Sequence, residues 1–129
     1  MAEEYGMITR ITFIIHIIIG LIFGVSFLVI PDIMLPLFGM AFVDPAIRMF
    51  GAIIIGFVFM SFLGLMTREV ARVKIVIIGE LVWLILGIIA AAVHLVIPPL
   101  MSITFAGAAL GSLVILFILF LLSYFMEIR

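Results

Sequence analysis

The chain has no cysteine, so disulfide exchange, thiolate metal centres and cysteine nucleophiles are excluded at once. Charge is almost as scarce: six Lys or Arg and seven Asp or Glu make up 10% of 129 residues. A soluble domain of this size needs far more charge on its surface. Without a basic patch, nucleic acid is not a partner. HExxH, a nucleophile elbow and a Gly-rich phosphate loop are all missing, so no metal ligand set and no catalytic residue is identified. What remains is 69% hydrophobic. The solvent that fits this composition is a bilayer.

A spanning helix needs about 20 predominantly apolar residues. The chain therefore holds one all-α membrane domain, residues 1–129, built as a bundle of four transmembrane helices. The predicted spans are about 9–30, 46–66, 73–97 and 100–126. Pro31 stops the first. Asp44-Pro45 opens the second, as an N-cap followed by a proline at the first helical position. Pro98-Pro99 forces the turn between the last two. An N-terminal signal peptide is a poorer reading of the first span, because its apolar stretch is too long and no small-residue cleavage site follows. The segment 31–44 is too short to cross. It either lies on the outer surface, dips into it as a re-entrant piece, or packs over the bundle as an ordered loop.

Arg10, Arg68, Arg72, Lys74 and Arg129 fall on one side of these spans and only Arg48 on the other. The positive-inside bias places both termini in the cytoplasm. Tyr5 and Tyr124 then share the inner interface. LVIP recurs at 28–31 and 95–98, with Gly20 and Gly87 at equal distances before it, and Gly51-Ala52 is echoed by Gly107-Ala108. These matches suggest two helical hairpins in the same orientation. Small residues allow close helix approach in lipid. The GxxxG pairs Gly20/Gly24 and Gly107/Gly111 are expected to pack inside the monomer rather than to form a dimer seam.

Glu80 is an acid in the apolar run "IVIIGELVWLILG". It lies six residues past Lys74, and His16 lies six past Arg10 on a helix running the same way. At 1.5 Å per residue both sit roughly 9 Å inside the inner boundary. Ser61, seven residues before Arg68 on an antiparallel helix, reaches a similar depth. Glu80, Gly87, Ala91 and His94 share a stripe, as do Thr9, Thr12, His16, Gly20 and Phe27. Glu80 and His16 are therefore expected to meet across a helix interface, as an ion pair, a shared proton or a neutral acid. That pair is either a functional site or a polar clasp that holds register. Trp83 is a candidate wall for a small-molecule pocket. Nearer the outer face, Arg48, His94, Asp44, Ser102 and Thr104, with Asp32 adjoining, form a candidate outer pocket for an anion or lipid headgroup. The plainer alternative is an interfacial Arg48 paired with Asp44.

A bis-histidine haem is disfavoured because His16 and His94 lie at different depths. A small drug/proton exchanger would need its acid in the first helix, and this acid is in the third. The midplane offers little beyond Ser112, unlike an aqueous path.

The stretch "FGVSFLVIPDIMLPLFGMAFVDPAIRMFGAIIIGFVFM" resembles the small four-helix DoxX-like membrane proteins and related four-span families of bacteria and archaea. The likeness rests on Pro31, Leu37-Phe38-Gly39, Ala46, Arg48 and Gly51, and covers about the first half of the chain. It implies a prokaryotic plasma membrane and a role beside quinone-linked redox enzymes. The expected function is a non-enzymatic accessory or scaffold subunit, with other membrane subunits or a second copy as partners. It would have no cofactor of its own and would bind a lipid or quinone. The alternatives are a proton-coupled carrier using Glu80 and His16, and a quinone-contacting subunit of a redox enzyme.

Overall fold

A helix that is apolar all round cannot hide its surface from water by packing one face, so it belongs in lipid. A computed structural model describes residues 4–40, 45–67, 69–96 and 102–129. Its helices are α1 (Met7–Val29), the short α2 (Pro31–Leu37), α3 (Pro45–Thr67), α4 (Val70–Val96) and α5 (Ile103–Ser123). A turn of π-helix, Tyr124–Ile128, ends the chain. No strand occurs among the described residues, only an isolated bridge between Glu4 and Glu69. Among the described residues, four helices are long and apolar enough to cross a membrane.

The spans start and stop within a few residues of the sequence expectation. Residues 41–44 and 97–101, which include Asp44 and Pro98-Pro99, lie outside the described residues. The first part of segment 31–44 is helical. Pro31 supplies a preset first turn, and Leu35 is buried with Phe27 and Phe105. Gly39 then turns the chain in the left-handed region, at φ 74°.

α1 packs most extensively on α3, and α4 on α5. Both pairs are antiparallel. The first is unusually close. A Cβ on Gly51 would lie 2.6 Å from the Leu28 nitrogen and 2.8 Å from the Gly24 oxygen, so only glycine lets these backbones touch. Gly20 and Gly24 face Val58 and Ile55 in the same seam. Gly107 and Gly111 behave differently. Among the described residues nothing lies within 4 Å of either Cβ position, so the second GxxxG pair faces outward from them and does not pack as expected. Its small residues are on the face of α5 away from α4, a phase that the motif alone does not reveal.

The buried core lies between the helices. Phe13, Val73, Ile77, Leu84, Leu116 and Phe120 form its larger cluster, and Phe27, Leu35 and Phe105 a second at the other end. Large apolar side chains such as Ile18, Ile22, Phe59, Ile75, Ile89 and Ile115 point outward, as lipid-facing positions do.

Gly51→Ala is expected to destabilise the bundle by about 1–3 kcal/mol, because backbone atoms cannot move aside as a side chain would. Gly107→Ala is expected to be near neutral. Unfolding midpoints of both variants in one detergent check this; equal midpoints would mean that α1 and α3 do not meet so closely.

Candidate functional site

Each long helix has amides or carbonyls at its ends that need partners, and four polar side chains, Tyr5, Arg48, Ser102 and Glu127, serve them. Arg48 donates to the Leu28 carbonyl at 2.7 Å, reaches Val29 at 3.5 Å, and pairs with Asp32 at 3.2 Å. It thus caps the C-terminal end of α1, and the acid beside it is Asp32. Asp44, the partner expected from the sequence, lies outside the described residues. Ser102 accepts from the Phe105 amide as the N-cap of α5 and donates to the Phe38 carbonyl. Thr104 is exposed. His94 is on α4, and its side chain lies outside the described set. Arg48 and Ser102 each hold a helix end.

At the opposite end Tyr5 donates towards the carbonyls of Gly64 and Leu65 in the last turn of α3, 3.1 Å from each. Glu127 takes the Ile8 amide at 2.9 Å on one carboxylate oxygen and the Thr9 amide at 2.8 Å on the other. The acid of the last turn thus caps the first helix, where a negative charge also favours the positive end of the helix dipole. Just inside, the Thr9 and Ser123 hydroxyls are 2.6 Å apart and both are buried. Thr12 donates to the Leu119 carbonyl at 3.3 Å. Ser123 and Glu127 were not singled out by the sequence. The available signal was their level, since both adjoin Tyr124 at the end that also holds Thr9.

Deeper still, α1, α3 and α4 bring His16, Ser61 and Glu80 together. Their exposures are 4%, 0% and 1%. His16 Nδ1 is 2.7 Å from Ser61 Oγ, and Ser61 Oγ is 3.1 Å from Glu80 Oε1. The direct distance from His16 Nδ1 to Glu80 Oε1 is 3.5 Å, so the serine sits between them as the shorter link. Glu80 Oε2 has no hydrogen-bond partner. Phe120 closes the group from α5, its ring edge-on to the imidazole at 5.4 Å.

Past His16 the two helix pairs separate around a cavity of about 440 Å³. All four long helices line it. His16 stands at one end with Leu84 and Leu116, and Phe23, Phe27, Phe38 and Phe105 gather at the other. From His16 to Phe27 is eleven residues of α1, or about 16 Å at the helical rise. Gly20, Gly87, Ala91 and Ala108 keep the middle open. Trp83 forms part of the wall, stacked on Phe57 at 4.9 Å. The lining has three polar side chains, His16, Trp83 and Ser112. Ser112 is turned back to the Ala108 carbonyl of its own helix. The imidazole hydrogen-bonds through Nδ1; among the described residues Nε2 has no hydrogen-bond partner.

Among the described residues no three His, Asp or Glu side chains converge as a metal site. No family model, no curated protein and no solved structure matches this chain.

Glu127→Ala removes two bonds at the start of α1 and is expected to loosen that turn by about 1 kcal/mol. Amide exchange at Ile8 and Thr9 should then speed up several-fold, while core amides of α3 change little. Unaltered exchange at both residues would rule out this cap.

Proposed function

We propose that this chain is an integral membrane protein that holds an apolar molecule from the bilayer between two helical hairpins. It does so as an accessory or scaffold component without catalytic machinery of its own. The observation that carries the reading is the cavity: about 440 Å³, elongated, and lined almost wholly by aromatic, aliphatic and small side chains. Ligand sites are of this size and character, with a few polar groups that orient the occupant. A lipid chain or a quinone tail has the matching shape.

Orientation follows from charge. Arg10, Arg72, Lys74 and Arg129 belong to the end where Glu127 meets α1, and Arg48 belongs to the other, so both termini are read as cytoplasmic. The α1–α3 and α4–α5 pairing accords with two parallel hairpin repeats. Partners would dock through the lipid-facing helices, either other subunits or a second copy.

A second reading is favoured by one observation, the buried His16–Ser61–Glu80 group beside the cavity. Intramembrane ionisable residues are commonly functional. On this reading the protein is a proton-coupled carrier, and Glu80→Gln abolishes pH-dependent transport.

Purification from native membranes in mild detergent, followed by native mass spectrometry, tests the first reading. An apolar molecule should be retained at about one per chain, together with stoichiometric subunits. Ala91→Leu, which fills the middle of the cavity, should reduce retention of the molecule at least about fivefold without unfolding the bundle. Equal retention by this variant would eliminate the cavity as the site. A lone protein that transports protons with a solute would favour the carrier.

A further inference from the structure

A hydrogen-bonded row has a direction. Ser61 has one proton to donate, and it stands between His16 Nδ1 and Glu80 Oε1. If Glu80 is ionised, Ser61 donates to it and accepts from His16. Nδ1 then carries the imidazole proton, and Nε2 is left with a lone pair. If Glu80 is neutral, its proton is best placed on Oε1, where Ser61 can accept it. On Oε2 it would be a buried donor without a partner. Ser61 then donates to Nδ1, and the imidazole proton moves to Nε2. The two arrangements differ by one proton and by the polarity of one atom, Nε2. His16 is the end of the row and lines the cavity.

We propose that His16 reads a single hydrogen-bonding group at the head of the cavity's apolar occupant, and that Ser61 and Glu80 set which polarity it accepts. With ionised Glu80 the site takes an alcohol or phenol hydroxyl, which donates to Nε2. With neutral Glu80 it takes a carbonyl or ether oxygen, which accepts from Nε2–H. This rests on the cavity reading above and adds the chemistry of the occupant's head. The other polar groups of the lining do not switch. Ser112 is bound to its own helix, and the Trp83 indole N–H donates to any oxygen alike.

Among the described residues, the polar side chains that face Glu80 are those of His16 and Ser61. α1 presents His16 to it, and α3 presents Ser61. α5 meets this level through Leu116 and Phe120. Its neighbouring ionisable groups lie towards the chain end, Tyr124 under Lys74 and Glu127 on the amides of Ile8 and Thr9. On α4, Arg72 pairs with Glu69.

The test uses the whole protein in detergent and two probes of nearly equal shape, para-nonylphenol and its methyl ether, para-nonylanisole. The phenol donates and accepts, whereas the ether only accepts. Below about pH 8.5 the phenol stays neutral. The affinity ratio of phenol to ether should be about tenfold near pH 8.5, the worth of one hydrogen bond. It should fall towards one near pH 5.5. Over the same range the imidazole nitrogen NMR shifts of His16 should pass from the Nδ1–H to the Nε2–H tautomer. Glu80→Gln should make both readouts independent of pH, and Ser61→Ala should uncouple them while both probes still bind.

A ratio and tautomer that ignore pH while both probes bind would overturn the switch and leave the cavity reading standing. A ring that gains both protons would overturn it as well. If neither probe binds, the cavity reading fails and takes the occupant's head group with it. The nitrogen shifts of the unliganded protein still decide whether the row inverts.

Discussion

A polar atom in hydrocarbon has no water as an alternative partner, and this constraint explains where the capping and buried polar side chains of the described residues stand. Helices satisfy their own interiors, so the debt falls on their ends and on any side chain buried between them. Arg48 closes the end of α1 and Glu127 its beginning; Tyr5 serves the end of α3, and Ser102 the start of α5. In three of these cases the cap comes from a different helix or segment. Capping in this chain is therefore tertiary structure, and the helices are held in register by the groups that finish them.

The same bundle contains a tight seam and a loose one. Between α1 and α3 the glycines bring backbones into contact, whereas between the two pairs the side chains alone set the distance. Phenylalanines prop one end of the looser seam, and the Thr9–Ser123 and Glu127 contacts draw the other together. A cavity is the natural result of pairs pinned at one end and held apart at the other. His16 lies where the pinned part ends, so of the three polar groups of that level it is the one that meets both sides: Nδ1 is bonded to Ser61, and the residue lines the open space.

Much of the architecture was legible in the sequence because membrane spans are set by length and apolarity. The level of Glu80, His16 and Ser61 was legible too, since a constant rise per residue converts distance from an arginine into depth. Other features depend on quantities that an apolar sequence does not encode. Gly107 and Gly111 have the spacing of an interface and none of its contacts, because nothing in an all-apolar helix says which face turns inward. The pairing of Arg48 with Asp32 depended on α2 folding as a helix, which carries Asp32 to the guanidinium. The cavity depends on how far two pairs splay. No residue type announces that angle, although Trp83 and the small residues of α4 lie along its wall.

The final turn is wound more widely than the helix before it, with the Arg129 amide bonded to the Tyr124 carbonyl five residues back. Such a turn is in effect an α-helix with one residue inserted. The chain length between Ser123 and Glu127 is therefore part of the design: loss of a single residue there would restore the ordinary winding. Wound in the ordinary way without that loss, the same residues would carry the carboxylate well around the axis, away from the amides it serves. Substitutions at Phe125 or Met126, both exposed, leave that spacing intact. The width of this turn, rather than the identity of its exposed residues, thus aims the acid: one extra residue is traded for an orientation that ordinary winding of the same length would not give.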